Sequence, residues 1–340
     1  MTASIQPAAS ASPRARMPLS IWIVAVALPL LVGLVAVLVQ VAWLPDLPDP
    51  IAIHWGTDGA DGFGPAWSSI AMTGGLTLGL VGLFAAMLAL ARGQAPTAIH
   101  KLLAVSSLGV TVLLAGTVTA SVGVQRGLAD AADAPDITPW LLASVVTALA
   151  VGAIAWFVLP KAVSPTTELS PAEPLPLVAG ERSVWIAETR LSGGAVAVIL
   201  LAVGFAIAAT VFATVVSDGL TWPLLIVPVL LVLLCTAGIA WRVRVEPGGI
   251  TVRSQPFGWP RTRIPASDVA SVDISHVEPL AEFGGWGWRW APGRNFGVIS
   301  RGGEAIEVTR RDGRRFTVTV DDAATGAALL AAYARAAVTP

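Results

Sequence analysis

Hydrophobic and polar positions divide the chain into two regimes. Over its first two thirds, six long apolar runs alternate with short polar connections: approximately Leu19–Leu44, Ala66–Ala91, Leu102–Val124, Pro139–Leu159, Leu191–Val216 and Leu220–Trp241. None of these runs contains Asp, Glu, Lys, Arg or His. Each has about the 20 residues a helix needs to cross roughly 30 Å of hydrocarbon. Trp22, Trp43, Trp67, Trp140, Trp156, Trp222 and Trp241 lie near the ends of the runs, where an amphipathic ring prefers the headgroup zone. The pattern predicts six transmembrane helices.

Beyond Trp241 the period shortens to two. Arg242–Glu246, Gly249–Arg253, Asp268–Ser275, Ala305–Thr309 and Arg315–Val320 alternate apolar and polar positions, as half-buried strands do. Pro247-Gly248-Gly249, Gly302-Gly303 and Asp312-Gly313 suit hairpin turns. Asp322–Ala337 is Ala/Leu-rich behind an Asp cap, a helix pattern. The expected fold is therefore an α-helical polytopic membrane protein joined to a small antiparallel β domain with a C-terminal helix, a β-sandwich or partly open barrel.

Five segments follow: a disordered tail (1–18), a four-helix membrane domain (19–159) with an outward loop at 45–65, a Pro-rich cytoplasmic linker (160–190), a two-helix membrane hairpin (191–241) and a cytoplasmic β domain (242–340). Composition agrees. Charged residues are 13% of the 340, against about a quarter in soluble domains, and mean hydropathy is +0.73. Net charge splits into −4 over residues 1–241 and +3 over 242–340. The first apolar run is too long for a cleaved signal peptide, whose core has about 7–15 residues. It reads as a retained helix. Cys235 is the one cysteine and lies in an apolar run, so no intrachain disulfide and no zinc spacing is expected.

Lys and Arg resist translocation, so their places in the connections set orientation. The tail carries Arg14 and Arg16, the second connection Arg92 and Lys101, the fourth Lys161, Arg182 and Arg190, and Arg242 and Arg244 follow the last run. The first and fifth connections carry none, and the third only Arg126. Both termini are thus expected in the cytoplasm of a bacterial plasma membrane, with the Pro45–Pro65 loop outside. Gly75 and Gly79, and Gly109, Gly116 and Gly123 at seven-residue intervals, mark expected packing seams.

That outward loop is the densest chemistry in the membrane half. Asp49, His54, Trp55, Asp58, Asp61 and Phe63 are candidate ligand- or partner-binding residues, with Asp46 a further carboxylate. His54, Asp58 and Asp61 could serve a divalent cation, whereas the Asp-Gly pairs also make ordinary turns. With no nucleophile and no second His nearby, catalysis is not expected, and no cofactor is assigned. The run Leu-Pro-Asp-Pro-Ile-Ala-Ile-His-Trp-Gly-Thr-Asp-Gly-Ala-Asp-Gly-Phe-Gly (47–64) resembles the domain of unknown function (family 1648) found at the start of SdpI-type membrane proteins. That family includes immunity proteins against a secreted peptide toxin that also act in signalling. The resemblance covers roughly residues 20–70. Pro65-Ala66 stands where the family often has Lys, and no SdpI-type second half follows.

In the C-terminal block, Phe283-Gly-Gly-Trp-Gly-Trp-Arg-Trp290 and Asn295-Phe-Gly-Val lie among the strands. With its flanking strands and helix, residues 241–337 resemble bacterial PH-like domains attached to membrane anchors. Trp286, Trp288, Arg289 and Trp290 form a candidate membrane-surface or partner patch, unless the rings cap the open end of the barrel. Arg310, Arg311, Arg314 and Arg315 around a hairpin turn are a second cationic candidate, facing anionic headgroups or solvent. The lipid bilayer and a secreted peptide or envelope protein are the expected partners, and nucleic acid is not. A binding or sensing protein is the leading expectation, with a small transporter or exporter next and a metal-dependent membrane enzyme third.

Overall fold

The computed structural model describes residues 16–91, 96–163, 168–178, 181–217, 222–255, 257–291 and 295–337. Most of the expected tail and the tip of the fifth connection lie outside these. Among the described residues, five helices are long and apolar enough to span a membrane: α1 Leu19–Asp46, α2 Trp67–Leu90, α3 Ala98–Gly123, α4 Thr138–Val158 and α5 Gly193–Val216. The sixth run folds differently from expectation. Among the described residues its apolar helix covers Pro223–Gly238, with an α-helical part, α6, at Ile226–Gly238. Sixteen residues at 1.5 Å each reach about 24 Å, short of the hydrocarbon thickness. The chain then turns directly into a strand, so Trp241 is no interfacial anchor: it is 1% exposed in the β core.

Two sequence features explain local departures in the bundle. Pro29 has no N–H to give the carbonyl four residues back, and its ring crowds that turn. The helix widens into a π segment at Ile23–Ala27, and Ser107 Oγ of α3 donates instead to the Ala25 carbonyl at 2.7 Å. At the start of α3, Thr97 and His100 form a reciprocal capping box, so the helix begins four residues before the expected Leu102. Its first turn therefore contains His100 and Lys101, both buried. Lys101 Nζ reaches the Leu159 carbonyl at 3.3 Å and lies 4.7 Å from the Trp156 ring.

Small residues set helix contacts, as the seams predict. A Cβ on Gly79 would strike the Phe205 ring of α5, one on Gly116 would press on Ser144 of α4, and one on Gly123 on Trp43 of α1. Gly33 lets α1 lie against Thr77 of α2, whereas Gly75 meets nothing within 4 Å.

The polar connections fold at both ends of the bundle. At one end, β1 Ile51–Gly56 and β2 Gly59–Gly64 pair as a hairpin between α1 and α2. At the other lies a β body of two sheets. One has the order β4-β5-β6-β7, made of Trp185–Arg190, Ala240–Glu246, Gly249–Ser254 and Arg261–Ile264. The second has the order β3-β8-β11-β12-β10-β9: Leu169–Pro171, Val269–Val277, Gly303–Arg310, Arg315–Thr319, Asn295–Ile299 and Gly287–Ala291. A short helix, α7 Pro279–Phe283, leaves β8, and α8 Ala323–Ala336 closes the chain.

Two findings correct the expected β domain. The segment 160–190 is not a bare linker: β3 pairs with β8 and β4 with β5. Tyr333 Oη of α8 further accepts from Ser183 N at 2.9 Å and donates to Ser183 O at 2.6 Å. The second sheet is mixed, because β10 runs parallel to β12. Trp241, Val243, Val252, Ile306, Val308, Val318, Leu330 and Tyr333 bring both sheets and α8 into one core.

Candidate functional site

The hairpin is assembled from one apolar and one polar face. Ile51 and Ala52 are buried. Ala52 packs with Ala131 and Ala134 of the α3–α4 connection, and Trp55, Ala60 and Phe63 lie against that cluster. Gly59, at φ +118°, turns the chain at the tip, a conformation that favours glycine. The ladder slips on either side of His54. Bulges of this kind re-aim a side chain, and His54 projects into solvent.

Gln125 and Trp55 fix the hairpin to the α3–α4 connection, and Arg126 and Gly127 fix the end of α1 just before it. Gln125, wholly buried, pairs with the Ala52 backbone as a strand would. Its Oε1 accepts from Ala52 N at 2.7 Å, and its Nε2 donates to Ala52 O at 3.0 Å and Ser121 O at 2.8 Å. Trp55 Nε1 donates to Pro135 O at 3.1 Å. Arg126 pairs with Asp46 at 2.8 Å and lies 5.0 Å from the Trp43 ring. Gly127 N donates to Asp46 O at 2.8 Å. Nearby, the backbone N–H and hydroxyl of Thr138 hold the Asp136 carboxyl below its ordinary value.

The solvent face carries a paired imidazole and carboxylate. His54 Nδ1 lies 2.5 Å from Asp61 Oδ1, with both side chains about half exposed, 48% and 51%. Asp61 also folds over Gly56, leaving no room for a Cβ there. With Nδ1 turned to Asp61, Nε2 is the imidazole nitrogen available to a ligand. Asp49 and Asp58 are exposed nearby on the turns. Of the six candidates, His54 and Asp61 are brought together, Asp49 and Asp58 stay solvent-facing, and Trp55 and Phe63 build the support. Among the described residues, no group of three or more His, Cys, Asp or Glu is arranged to hold a metal, so the expected His54, Asp58 and Asp61 set does not converge.

Residues 30–78 match a family model described as a domain of unknown function (DUF1648). The match runs from within α1 into α2, so the hairpin lies at its centre. No curated protein and no solved structure matches the chain. Gln125, the main clamp, falls outside the matched segment. It stands one residue past the apolar run that ends at Val124, and its partner lies 73 residues away, so no local pattern marks it.

The second candidate patch separates into different roles. Trp288 stacks between Trp241 and Phe296, with centroids 5.5 and 4.6 Å away, and so extends the core aromatic row. Trp290 is 75% exposed and rests on Phe296 at 4.9 Å. Arg289 Nε donates to the Trp286 carbonyl at 2.8 Å. The hairpin arginines are engaged: Arg310 with Asp268 at 3.1 Å, Arg314 with Asp312 at 2.9 Å, Arg315 with Glu307 at 3.3 Å and Arg311 with the Ser267 carbonyl at 2.8 Å. Burial raises the Glu307 carboxyl above its ordinary value, and Arg315 only partly offsets this.

Inside the bundle, Gln40 is completely buried and donates to Thr73 and Thr119 at 2.9 and 3.0 Å. Its Oε1, and the hydroxyls of Thr111 and Thr117, have no protein partner.

Proposed function

We propose that this is a non-enzymatic binding or sensing protein of the bacterial plasma membrane, in which the β1–β2 hairpin is the outward recognition element. The observation that supports the reading most is the division of the hairpin. One face is pinned through Gln125 and Trp55, while the other offers the paired His54 and Asp61 to solvent. A held backbone with exposed polar groups loses little freedom on binding. The ligand class is a secreted peptide or envelope protein, in keeping with the SdpI-type resemblance, and immunity or signalling is the role. Lys and Arg concentrate at the β-body end of the bundle, which favours a cytoplasmic β body, PH-like in role, with both termini inside.

The test replaces His54 by Ala and Asp58 and Asp61 by Asn together, leaving the supporting Trp55 intact. Photo-crosslinking from the hairpin in cells should lose its adducts while the protein still inserts and melts as before. Unchanged adducts and unchanged stress phenotypes would remove the proposal.

The orphaned oxygens of Gln40, Thr111 and Thr117 favour a second reading, a small transporter or exporter. Reconstituted protein that moves no solute across a broad panel of liposome assays would eliminate it.

A further inference from the structure

We propose that the β4–β7 sheet docks on an anionic phospholipid surface, its arginine face against headgroups and Phe257 and Trp259 seated at their boundary with the acyl chains. The β6–β7 connection is held to the end of α6. Ser254 Oγ donates to Ala237 O at 2.7 Å, and Gln255 N donates to Ala240 O at 2.9 Å. Leu191 N donates to Ile239 O at 2.9 Å, which puts this point level with the start of the membrane-length α5. Phe257 and Trp259 project from that connection and are 60% and 70% exposed. Large aromatic rings at that depth suit the headgroup zone better than water.

Charge gives the second, independent argument. Cross-strand pairing places Glu188, Arg242, Arg253 and Arg261 in one row and Arg244, Thr251 and Arg263 in the next. Arg190, two residues from Glu188, shares their face, opposite to buried Val243, Val245 and Val252. This face carries Arg190, Arg242, Arg244, Arg253, Arg261 and Arg263 against Glu188 and Glu246. Arg242 pairs with Glu188 and Arg244 with Glu246. Among the described residues, Arg253, Arg261 and Arg263 have no carboxylate at ion-pair distance. Like charges directly opposite each other on neighbouring strands repel, so the row Arg242–Arg253–Arg261 calls for an anionic counter-surface. Arg242 lies two residues beyond Ala240, about 7 Å at 3.3 Å per residue. That is within the roughly 8 Å over which charges are felt at physiological ionic strength. The arginines of the Arg310–Arg315 hairpin, by contrast, are all engaged within the β body. Arg310 is seven residues along β11 from Gly303, about 23 Å.

The proposal rests on α5 lying in a bilayer and is independent of what the hairpin recognises. The full chain carrying Cys235→Ala and Phe257→Cys, labelled with an environment-sensitive fluorophore, is placed in nanodiscs of phosphatidylglycerol or of phosphatidylcholine alone. A label at Ala270→Cys, exposed at the far end of β8, is the control. In phosphatidylglycerol the label at 257 should shift to the blue and be quenched by headgroup-level nitroxide lipids, while the label at 270 stays unquenched. Arg253→Gln with Arg261→Gln should relieve that quenching, as should phosphatidylcholine. Quenching at 257 no greater than at 270 would overturn the proposal. Equal quenching in both lipids, unmoved by the two Arg→Gln changes, would also overturn it, since the arginine face would then contribute nothing.

Discussion

Replacing Gln125 by Ala tests whether the hairpin is held by one buried side chain. The substitution removes three hydrogen bonds and leaves the N–H and C=O of Ala52, a residue 2% exposed, without their partner. Each buried polar group left unpaired costs about 1–3 kcal/mol. Two such groups give about 2–6 kcal/mol, and water entering the vacated space favours the lower end. At 1.4 kcal/mol per factor of ten, 2 kcal/mol corresponds to roughly 30-fold more frequent opening. Hydrogen exchange read by mass spectrometry over residues 47–64, with the protein in nanodiscs, measures this directly. Exchange should accelerate in the hairpin while the peptides of the β body keep their wild-type rates. A hairpin acceleration below about threefold, worth under 1 kcal/mol by the same conversion, would refute the clamp. It would mean that Trp55, Arg126 and the apolar cluster suffice.

Three further substitutions probe the rest of the molecule. Glu307→Gln should raise the melting temperature at neutral pH. The folded-state carboxyl titrates above its unfolded value of about 4.3, so stability present at low pH is lost as pH rises through the folded value; the Gln advantage should vanish near pH 4. A variant that melts lower at every pH would show that the Arg315 pair dominates. Gly33→Val should cost about 1–3 kcal/mol by overpacking, since its Cβ would strike the Thr77 side chain. Gly75→Val, with open space around it, should be near neutral, and equal effects would contradict the packing. Ser107→Ala should cost about 0.6 kcal/mol, as intramembrane hydrogen bonds do. In a Pro29→Ala background, where the Ala25 carbonyl regains an N–H partner, that cost should disappear in a double-mutant cycle.

Much of this architecture was legible because periodicity is a local property. Apolar runs without charges marked six spans, of which five are membrane-length helices among the described residues, and strict alternation located β5, β6, β8, β11 and β12 to within a residue or two. What escaped depends on partners far away in sequence. Trp185-Ile-Ala-Glu-Thr-Arg190 alternates as a strand should, but the prolines before it made the whole segment read as a tether. Pairing with β5 decides otherwise. Trp241 was placed in the interface by its position at the end of an apolar run, and its burial and the stacking of Trp288 against it reveal a core residue. The site shows the same division: His54 and Asp61 stood out by residue type, while Gln125 and the bulges that aim His54 left no local mark.

The hairpin and the β body meet different parts of one helix. Gln125, just past the C-terminal end of α3, holds Ala52, and at the other end Ile99 lies against Gly284 next to α7. Twenty-six residues at 1.5 Å each make a strut of roughly 39 Å between them. Ser107 and Gly116 key that strut to α1 and α4, so a shift of α3 would have to break the Ala25 bond and move Ser144. Coupling of a ligand at the hairpin to the β body requires a second arrangement of such contacts that the ligand prefers. The single well-packed arrangement of α3 instead supports a rigid display of the two ends. Ligand binding at the hairpin should then leave hydrogen exchange at Ile99 and in α7 unchanged. A change there on adding the crosslinked partner would establish α3 as the transmitting element.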